Sequence, residues 1–198
     1  MQPNPSDQQE TLWVLRAQSG DRQALERLLG RVLPALRRYL RSLLGPEDAD
    51  DVAQGVLLQM YRKLGGLETP VAFRAWMFRI ASRAAFRHLE RTRRWRAHAR
   101  EDSVLESVPS REPPPAPELL ARLATIDGVS PGSRAVLALH FQEQLPLTAV
   151  AAVLSIPLGT VKSRLAYGLA ALRRRLGIPG VRPYDSTHDS THDSTHED

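Results

Sequence analysis

The chain has 198 residues, 42% of them hydrophobic and 25% charged, with 27 basic against 22 acidic side chains and a net charge of +5. That is enough apolar material for one or two small packed domains, and a basic excess suits a polyanionic partner. No run approaches the roughly 20 apolar residues of a membrane span, the start MQPNPSDQQE lacks the basic and apolar regions of a secretory signal, and the absence of cysteine excludes a disulfide framework and thiolate metal sites, so the expectation is a cytoplasmic protein without membrane insertion.

Charge is unevenly spread. Residues 1–98 carry +7, 99–117 carry −2, 118–178 carry +4 and 179–198 carry −4. The acidic stretch AREDSVLESVPSREPPPAP holds five prolines after position 108, so it reads as an extended linker. The expected organisation is all-α: a helical domain over 7–98, a linker over 99–117, a helix-turn-helix domain over 118–178, and a disordered tail over 179–198. Its last part, DSTHDSTHDSTHED, repeats the unit DSTH three times without an apolar residue.

In the first block, Asp21 after Gly20 is a plausible N-cap. Leu25, Leu28, Leu29, Val32, Leu36, Leu40 and Leu44 then recur at helical spacing until Gly45-Pro46, with Pro34 as a point of kinking. The next helix begins in PEDADDVAQ, where Glu47, Asp48, Asp50 and Asp51 complement the positive end of the helix dipole. Its apolar side is Val52, Val56, Leu57, Met60 and Leu64. After the loop GGLETP comes a long amphipathic segment, VAFRAWMFRIASRAAFRHLERTRRWR, with Trp76, Ile80, Ala84 and Leu89 on one face. Arg79, Arg83, Arg87 and Arg91 step by four along another, a basic ridge about 18 Å long at 1.5 Å per residue. No alternating strand pattern occurs.

The second block starts with Ser130 as cap and Pro131 at the first helical position of SPGSRAVLALHFQEQ, burying Val136, Leu137, Leu139 and Phe141. The short helix LTAVAAVL, the turn SIPLG and the helix TVKSRLAYGLAALRRRL then fit a helix-turn-helix, whose second helix enters the DNA major groove by its N-terminal residues. Thr160, Lys162, Ser163 and Arg164 occupy that turn. The competing reading is an ordinary capped surface helix with solvated charges.

The stretches DADDVAQGVLLQMYRKL, FRAWMFRIASRAAFRHLERTRRWR and LSIPLGTVKSRLAYGLAALRRRL, in this order around a Pro-rich linker, closely resemble the extracytoplasmic-function (ECF) group of bacterial sigma factors over about residues 9–178. The resemblance implies two helical domains, called two and four. It makes Asp48, Asp50, Asp51 and Gln54 contacts for the β′ clamp helices of core RNA polymerase, although the same acids cap a helix. It makes Gly65, Gly66, Leu67, Glu68 and Thr69 the loop that captures a flipped base of the −10 element, with Arg83, Arg87 and Arg91 tracking the DNA backbone. Trp76 and Phe78 fit the core better than base stacking. Thr160, Lys162, Ser163, Arg164 and Tyr167 become the −35 contacts. Core polymerase, through its β′ clamp helices and β flap, promoter DNA and an anti-sigma factor are the implied partners, with no cofactor and no metal.

Two stretches depart from the family pattern. Gly55 stands where a Glu usually follows the Gln, at a helix-propensity cost of about 1 kcal/mol. Ala166, Tyr167 and Gly168 replace the usual continuation of the recognition helix, and Gly168 permits close packing either against a partner or within the domain. None of the six histidines stands in a catalytic spacing with a Ser or paired carboxylates, and no phosphate-binding glycine loop is present, so no enzyme is expected. The alternative is a helix-turn-helix regulator that binds its operator without polymerase. For the tail, a solvated appendage without function stands beside autoinhibition of DNA binding, phosphorylation of its Ser-Thr pairs, and metal binding by His188, His192 and His196.

Overall fold

A computed structural model describes residues 5–95, 120, 123–126 and 128–176. The expected linker, 99–117, and tail, 179–198, lie outside the described residues. Seven α-helices are described: α1 (Pro5–Gln18), α2 (Arg22–Leu44), α3 (Pro46–Lys63), α4 (Phe73–Trp95), α5 (Pro131–Leu137), α6 (Leu147–Leu154) and α7 (Leu158–Leu176). No strand occurs among the described residues.

Local chemistry sets the helix ends. Asp21 caps α2 by accepting from the Ala24 amide at 3.0 Å, and it is gripped from α1 by Arg16 at 2.7 Å. The amide hydrogen bond, then Arg16, hold its carboxyl below the usual carboxylate range. α2 continues through Pro34, which sits exposed inside it, and stops at Gly45, whose φ of 89° suits a residue without Cβ. Pro46 then opens α3 at a position where a missing N–H costs nothing.

The core of the first four helices forms where α2 meets α3 and α4. Leu28, Val32, Leu36, Leu40 and Leu43 of α2 are buried against Val56 and Met60 of α3, and each such side chain taken fully from water contributes about 1.5–3 kcal/mol. Tyr39 is fully buried, its hydroxyl 2.6 Å from Ser82 Oγ and its ring edge-on to Phe78 at 5.3 Å. Burial pushes its phenol above the usual range. Packing from two sides moves the buried face of α4: Phe73, Met77, Phe78, Ala81 and Ala85 are its buried apolar residues among those described, while Trp76, Ile80, Ala84 and Leu89, expected on the apolar face, are only partly buried beside them. Phe78 and Trp76 thus serve the core, Trp76 lying 5.9 Å from Phe73.

Inside this layer a charged anchor is buried. The Glu10 carboxylate of α1 receives two hydrogen bonds from Arg74 of α4, each 2.8 Å, with Arg31 of α2 at 3.6 Å. It ties three helices together, which a buried carboxylate requires if its desolvation is to be offset.

α5 is capped as read from the sequence, Ser130 Oγ accepting from the Ser133 amide with Pro131 at the first position. The helix expected to continue over HFQEQ changes instead into a π turn, Ala138–Gln142, capped by Glu143 and followed by Gln144 with φ 55°. Val136, Leu137 and Leu139 are buried as expected, and Phe141 is partly buried against His140. α5 and the π turn pack on α2, and α6 packs on α4. The buried apolar side chains form one continuous cluster through all seven helices.

Candidate nucleic-acid interface

The helix-turn-helix is present in its full geometry. α6 ends at Ser155, whose φ of 56° and ψ of 45° place it in the left-handed region. The chain turns through Ile156 and Pro157, and α7 leaves at 105° to α6, within the 90–120° of such motifs. Val161 and Leu172 are buried and fix α7 against α5 and α6. Gly168 allows that approach: a Cβ there would come within 2.8 Å of Leu137 Cδ1 and 3.3 Å of the Ser133 Cβ. The second glycine of the departures is therefore explained by packing inside the molecule.

The face of α7 turned away from that packing carries Leu158, Gly159, Lys162 and Tyr167, all exposed, with Ser163 half-buried beside them. Ser163 Oγ donates to the Gly159 carbonyl at 3.0 Å. Thr160 and Arg164 lie toward the other side of the helix and are partly buried. The Arg164 guanidinium rests on Gly132 at the start of α5, where an added Cβ would meet it at 3.0 Å. The five expected −35 residues are thus gathered on one helix start, but Lys162, Ser163 and Tyr167 share an outward surface that Arg164 does not. Leu158, an exposed apolar residue of that surface, escaped the sequence reading because it sits inside the turn SIPLG.

On α4, Arg83, Arg87 and Arg91 are exposed in register, whereas Arg79, the fourth of the ridge, is half-buried and its Nε has no hydrogen-bond partner. The loop before α4 begins with a 3-10 turn over Leu64–Gly66; Gly65, Gly66, Glu68 and Thr69 are exposed and Leu67 half-buried. Gln18 at the end of α1 pins this loop, its Nε2 donating to the carbonyls of Leu64 at 2.9 Å and Leu67 at 2.8 Å. A glutamine 46 residues away left no local mark by which the sequence could reveal this. Val71, beside the loop, is 76% exposed.

On α3 the four expected polymerase contacts divide by direction. Asp50 turns to α2, its Oδ1 3.2 Å from Arg37 and its Oδ2 3.4 Å from Arg41, and Asp48 Oδ2 lies 3.1 Å from His88 Nε2 of α4. Asp51 and Gln54 face outward, and the strip they begin continues through the exposed Leu58 and Tyr61. Those two were legible as apolar residues left off the buried side of the helix. Between α3 and α4 runs a groove of ≈ 610 Å³ lined by Asp51, Gly55, Gln59, Arg87, His88 and Arg91, and Gly55 opens onto empty space within it.

Residues 28–96 match the family model Sigma-70 region 2, and residues 125–174 match Sigma-70, region 4. The chain is 31% identical over 170 residues to the ECF RNA polymerase sigma factor SigM of Mycobacterium tuberculosis, covering 80% of each. It is 32% identical over 182 residues to the RNA polymerase sigma factor CnrH of Cupriavidus metallidurans, covering 85% of this chain and 94% of that one. The chain belongs to the ECF sigma factors. As a member of that family it directs RNA polymerase in the initiation of transcription, and the reading as a regulator working without polymerase is not favoured.

Solved structures agree in fold. CnrH in complex with the cytosolic domain of CnrY superposes with a TM-score of 0.64 at 28% identity, over 87% of this chain and 99% of that one. The sigma factor RpoE in complex with the anti-sigma factor NepR from Bartonella quintana, 21% identical, shares the fold with a TM-score of 0.61 over 77% and 96%. No single described helix of this ECF sigma factor is long and apolar enough to cross a membrane.

Proposed function

We propose that this sigma factor divides its work between two units near the boundaries read from charge, 7–98 and 118–178, and contributes no catalysis of its own. The outward strip of α3, Asp51, Gln54, Leu58 and Tyr61, docks on the polymerase clamp, with Asp48 and Asp50 holding α3 to its neighbours and adding acidic potential at its start. The loop from Gly65 to Thr69, pinned by Gln18, receives an unstacked base of the −10 element, and Arg83, Arg87 and Arg91 follow the adjacent phosphates. Lys162, Ser163 and Tyr167, with Thr160 and Arg164 at the flank, read the −35 element in the major groove. An anti-sigma protein is the expected inhibitory partner, and the working compartment is the cytoplasm.

The observation that carries this reading is the common outward surface of α7, with Lys162 exposed on the first turns of a helix set at 105° to its support. Lys162→Ala is expected to weaken holoenzyme binding to a cognate promoter about tenfold, the scale of one good base contact at 1–3 kcal/mol. Arg164→Ala is expected to cost less, since its guanidinium already has Gly132 beneath it. Promoter titration by the holoenzyme checks both. Affinity for Lys162→Ala within twofold of the wild type would remove the groove assignment.

A further inference from the structure

The loop over 65–69, assigned to an unstacked −10 base, has little within it that fixes its shape. Gly65 and Gly66 are exposed, and a Cβ at either would meet no atom within 4 Å, so packing does not hold this stretch. Two single 3-10 turns supply its backbone hydrogen bonds: the Leu67 amide donates to the Leu64 carbonyl at 3.0 Å, and the Ala72 amide to the Thr69 carbonyl at 2.9 Å. Neither Lys63 nor Thr69 caps its turn through a side chain. The order comes instead from α1, which precedes the stretch that matches Sigma-70 region 2.

Glu10, Val14 and Gln18 follow one another at four-residue steps along α1 and so form one stripe. Val14 is fully buried and seats the stripe in the core. At its end the Gln18 amide uses both of its N–H groups, on the Leu64 carbonyl at 2.9 Å and the Leu67 carbonyl at 2.8 Å, and thereby bridges the two residues that flank Gly65-Gly66. Two carbonyl acceptors admit only the NH2 half of the side chain there. Two turns earlier on α1, the Glu10 carboxylate, 4% exposed, accepts from Arg74 Nε and Nη2 at 2.8 Å each, just beyond the exit of the loop. The two anchors are about 12 Å apart along the helix at 1.5 Å per residue. Between them the chain is held on both sides of Glu68, Thr69 and Val71, which stay exposed. α1 is itself fixed to the start of α2 by Arg16 and Asp21, 2.7 Å apart.

We propose that α1 is the template of the base-capture loop and that Gln18 is a positioning residue for base selection at −10. Acting through the Leu64 and Leu67 carbonyls, it sets the loop geometry that decides which unstacked base is accepted. The inference rests on the assignment of the loop over 65–69 to the −10 element and deepens it. Reading a splayed base by hydrogen bonds to its edge needs donors and acceptors held within about 0.5 Å of their working positions, and a loop ordered before binding loses no affinity to the ordering. Gln18 supplies that order from outside the loop. Its chemistry sets the direction of the effect. Gln18→Glu keeps the length of the side chain but sets a carboxylate against two carbonyl oxygens, so both hydrogen bonds are lost and the loop is repelled; Gln18→Leu keeps bulk without a donor.

The test uses the full chain assembled with core polymerase. The probe is a promoter recovered by run-off transcription and made as a library with its −10 segment single-stranded and randomised; sequencing the bound fraction gives the base preference at each position. The wild type is expected to show at least one position with a preference of about tenfold, the scale of one specific base contact. Gln18→Glu and Gln18→Leu are expected to reduce that preference to about twofold or less, with the other positions and the affinity for core polymerase unchanged. Gln9→Glu, at an exposed glutamine of the same helix, should keep the wild-type profile. Circular dichroism and melting show that each variant is folded. Wild-type preferences at every position in the folded Gln18 variants would overturn the proposal, and so would a uniform loss at all positions, which is the mark of a merely structural role. Glu68→Ala and Thr69→Ala, changes in the loop itself, separate the template from the loop assignment. If they alter the preference and the Gln18 variants do not, the loop assignment stands and the template fails; if none of the four alters any position, the loop assignment fails and the inference falls with it.

Discussion

α3 and α7, the helices assigned to polymerase docking and to promoter reading, each carry a glycine in mid-helix, and the two glycines have opposite surroundings. At Gly168 an added Cβ would come within 2.8 Å of Leu137; at Gly55 it would meet nothing within 4 Å. One glycine is demanded by packing inside the molecule. The other opens a groove beside the strip of α3 proposed to dock on the polymerase. The same residue in the same local context, an interior helical position, thus marks a structural requirement in one region and a vacant surface in the other, and only the neighbouring helices distinguish them.

The comparison can be broken most sharply at Gly168. Gly168→Ala gains about 1 kcal/mol in helix propensity but overpacks the contact with Leu137, at a cost of about 1–3 kcal/mol. The net expectation is a lower melting temperature, with a larger drop for Gly168→Val. Adding Leu137→Ala to Gly168→Ala should give a coupling energy of at least 0.5 kcal/mol, as residues in contact do. Additive losses would mean that the close approach is not the reason for the glycine. Gly55→Ala should behave oppositely, gaining up to about 1 kcal/mol in thermal or denaturant unfolding; a loss there would show that the groove is occupied in the free protein. Gly55→Glu tests the partner side of the same contrast, since an acid placed between Gln54 and Leu58 has room to stand and should strengthen binding to core polymerase.

A smaller effect separates the two buried glutamates. Glu10 is held inside the first unit by Arg74 and Arg31, whereas Glu143, just after the π turn, is buried against Arg38 of α2, where burial raises its carboxyl pKa and Arg38 and then Arg74 act against the rise. An acid whose folded pKa is raised is penalised once it ionises. Its contribution should therefore cost stability as pH rises through the unfolded-state value toward the folded one, and level off above that. Measured as the wild-type minus Glu143→Gln difference in unfolding free energy, the curve should fall with increasing pH across this window. A rising difference would mean that Arg38 outweighs the burial.

What was legible in the sequence was local. Asp21, Gly45-Pro46, Ser130-Pro131 and the turn before α7 all announce themselves through capping and backbone preferences that act within a few residues. The buried faces of α2 and α5 followed from spacing for the same reason. The tilt of the buried face on α4 did not, because it depends on α2 and α3 arriving from two sides. Nor could any periodicity reveal Gln18 on the loop at Leu67, or Arg38 against Glu143 at 105 residues' separation. Of the site, the residue types were readable and the directions were not: Asp50 and Asp51 are adjacent in sequence, yet one turns to Arg37 and Arg41 and the other to solvent.

The measurement that bears most directly on the central claim is run-off transcription with purified core RNA polymerase on genomic fragments. The account predicts discrete transcripts that appear only when this chain is added, and that are weakened by Lys162→Ala without loss of core binding. Transcription no greater than that of core polymerase alone on every fragment, from a chain that is folded and binds the polymerase, would contradict it.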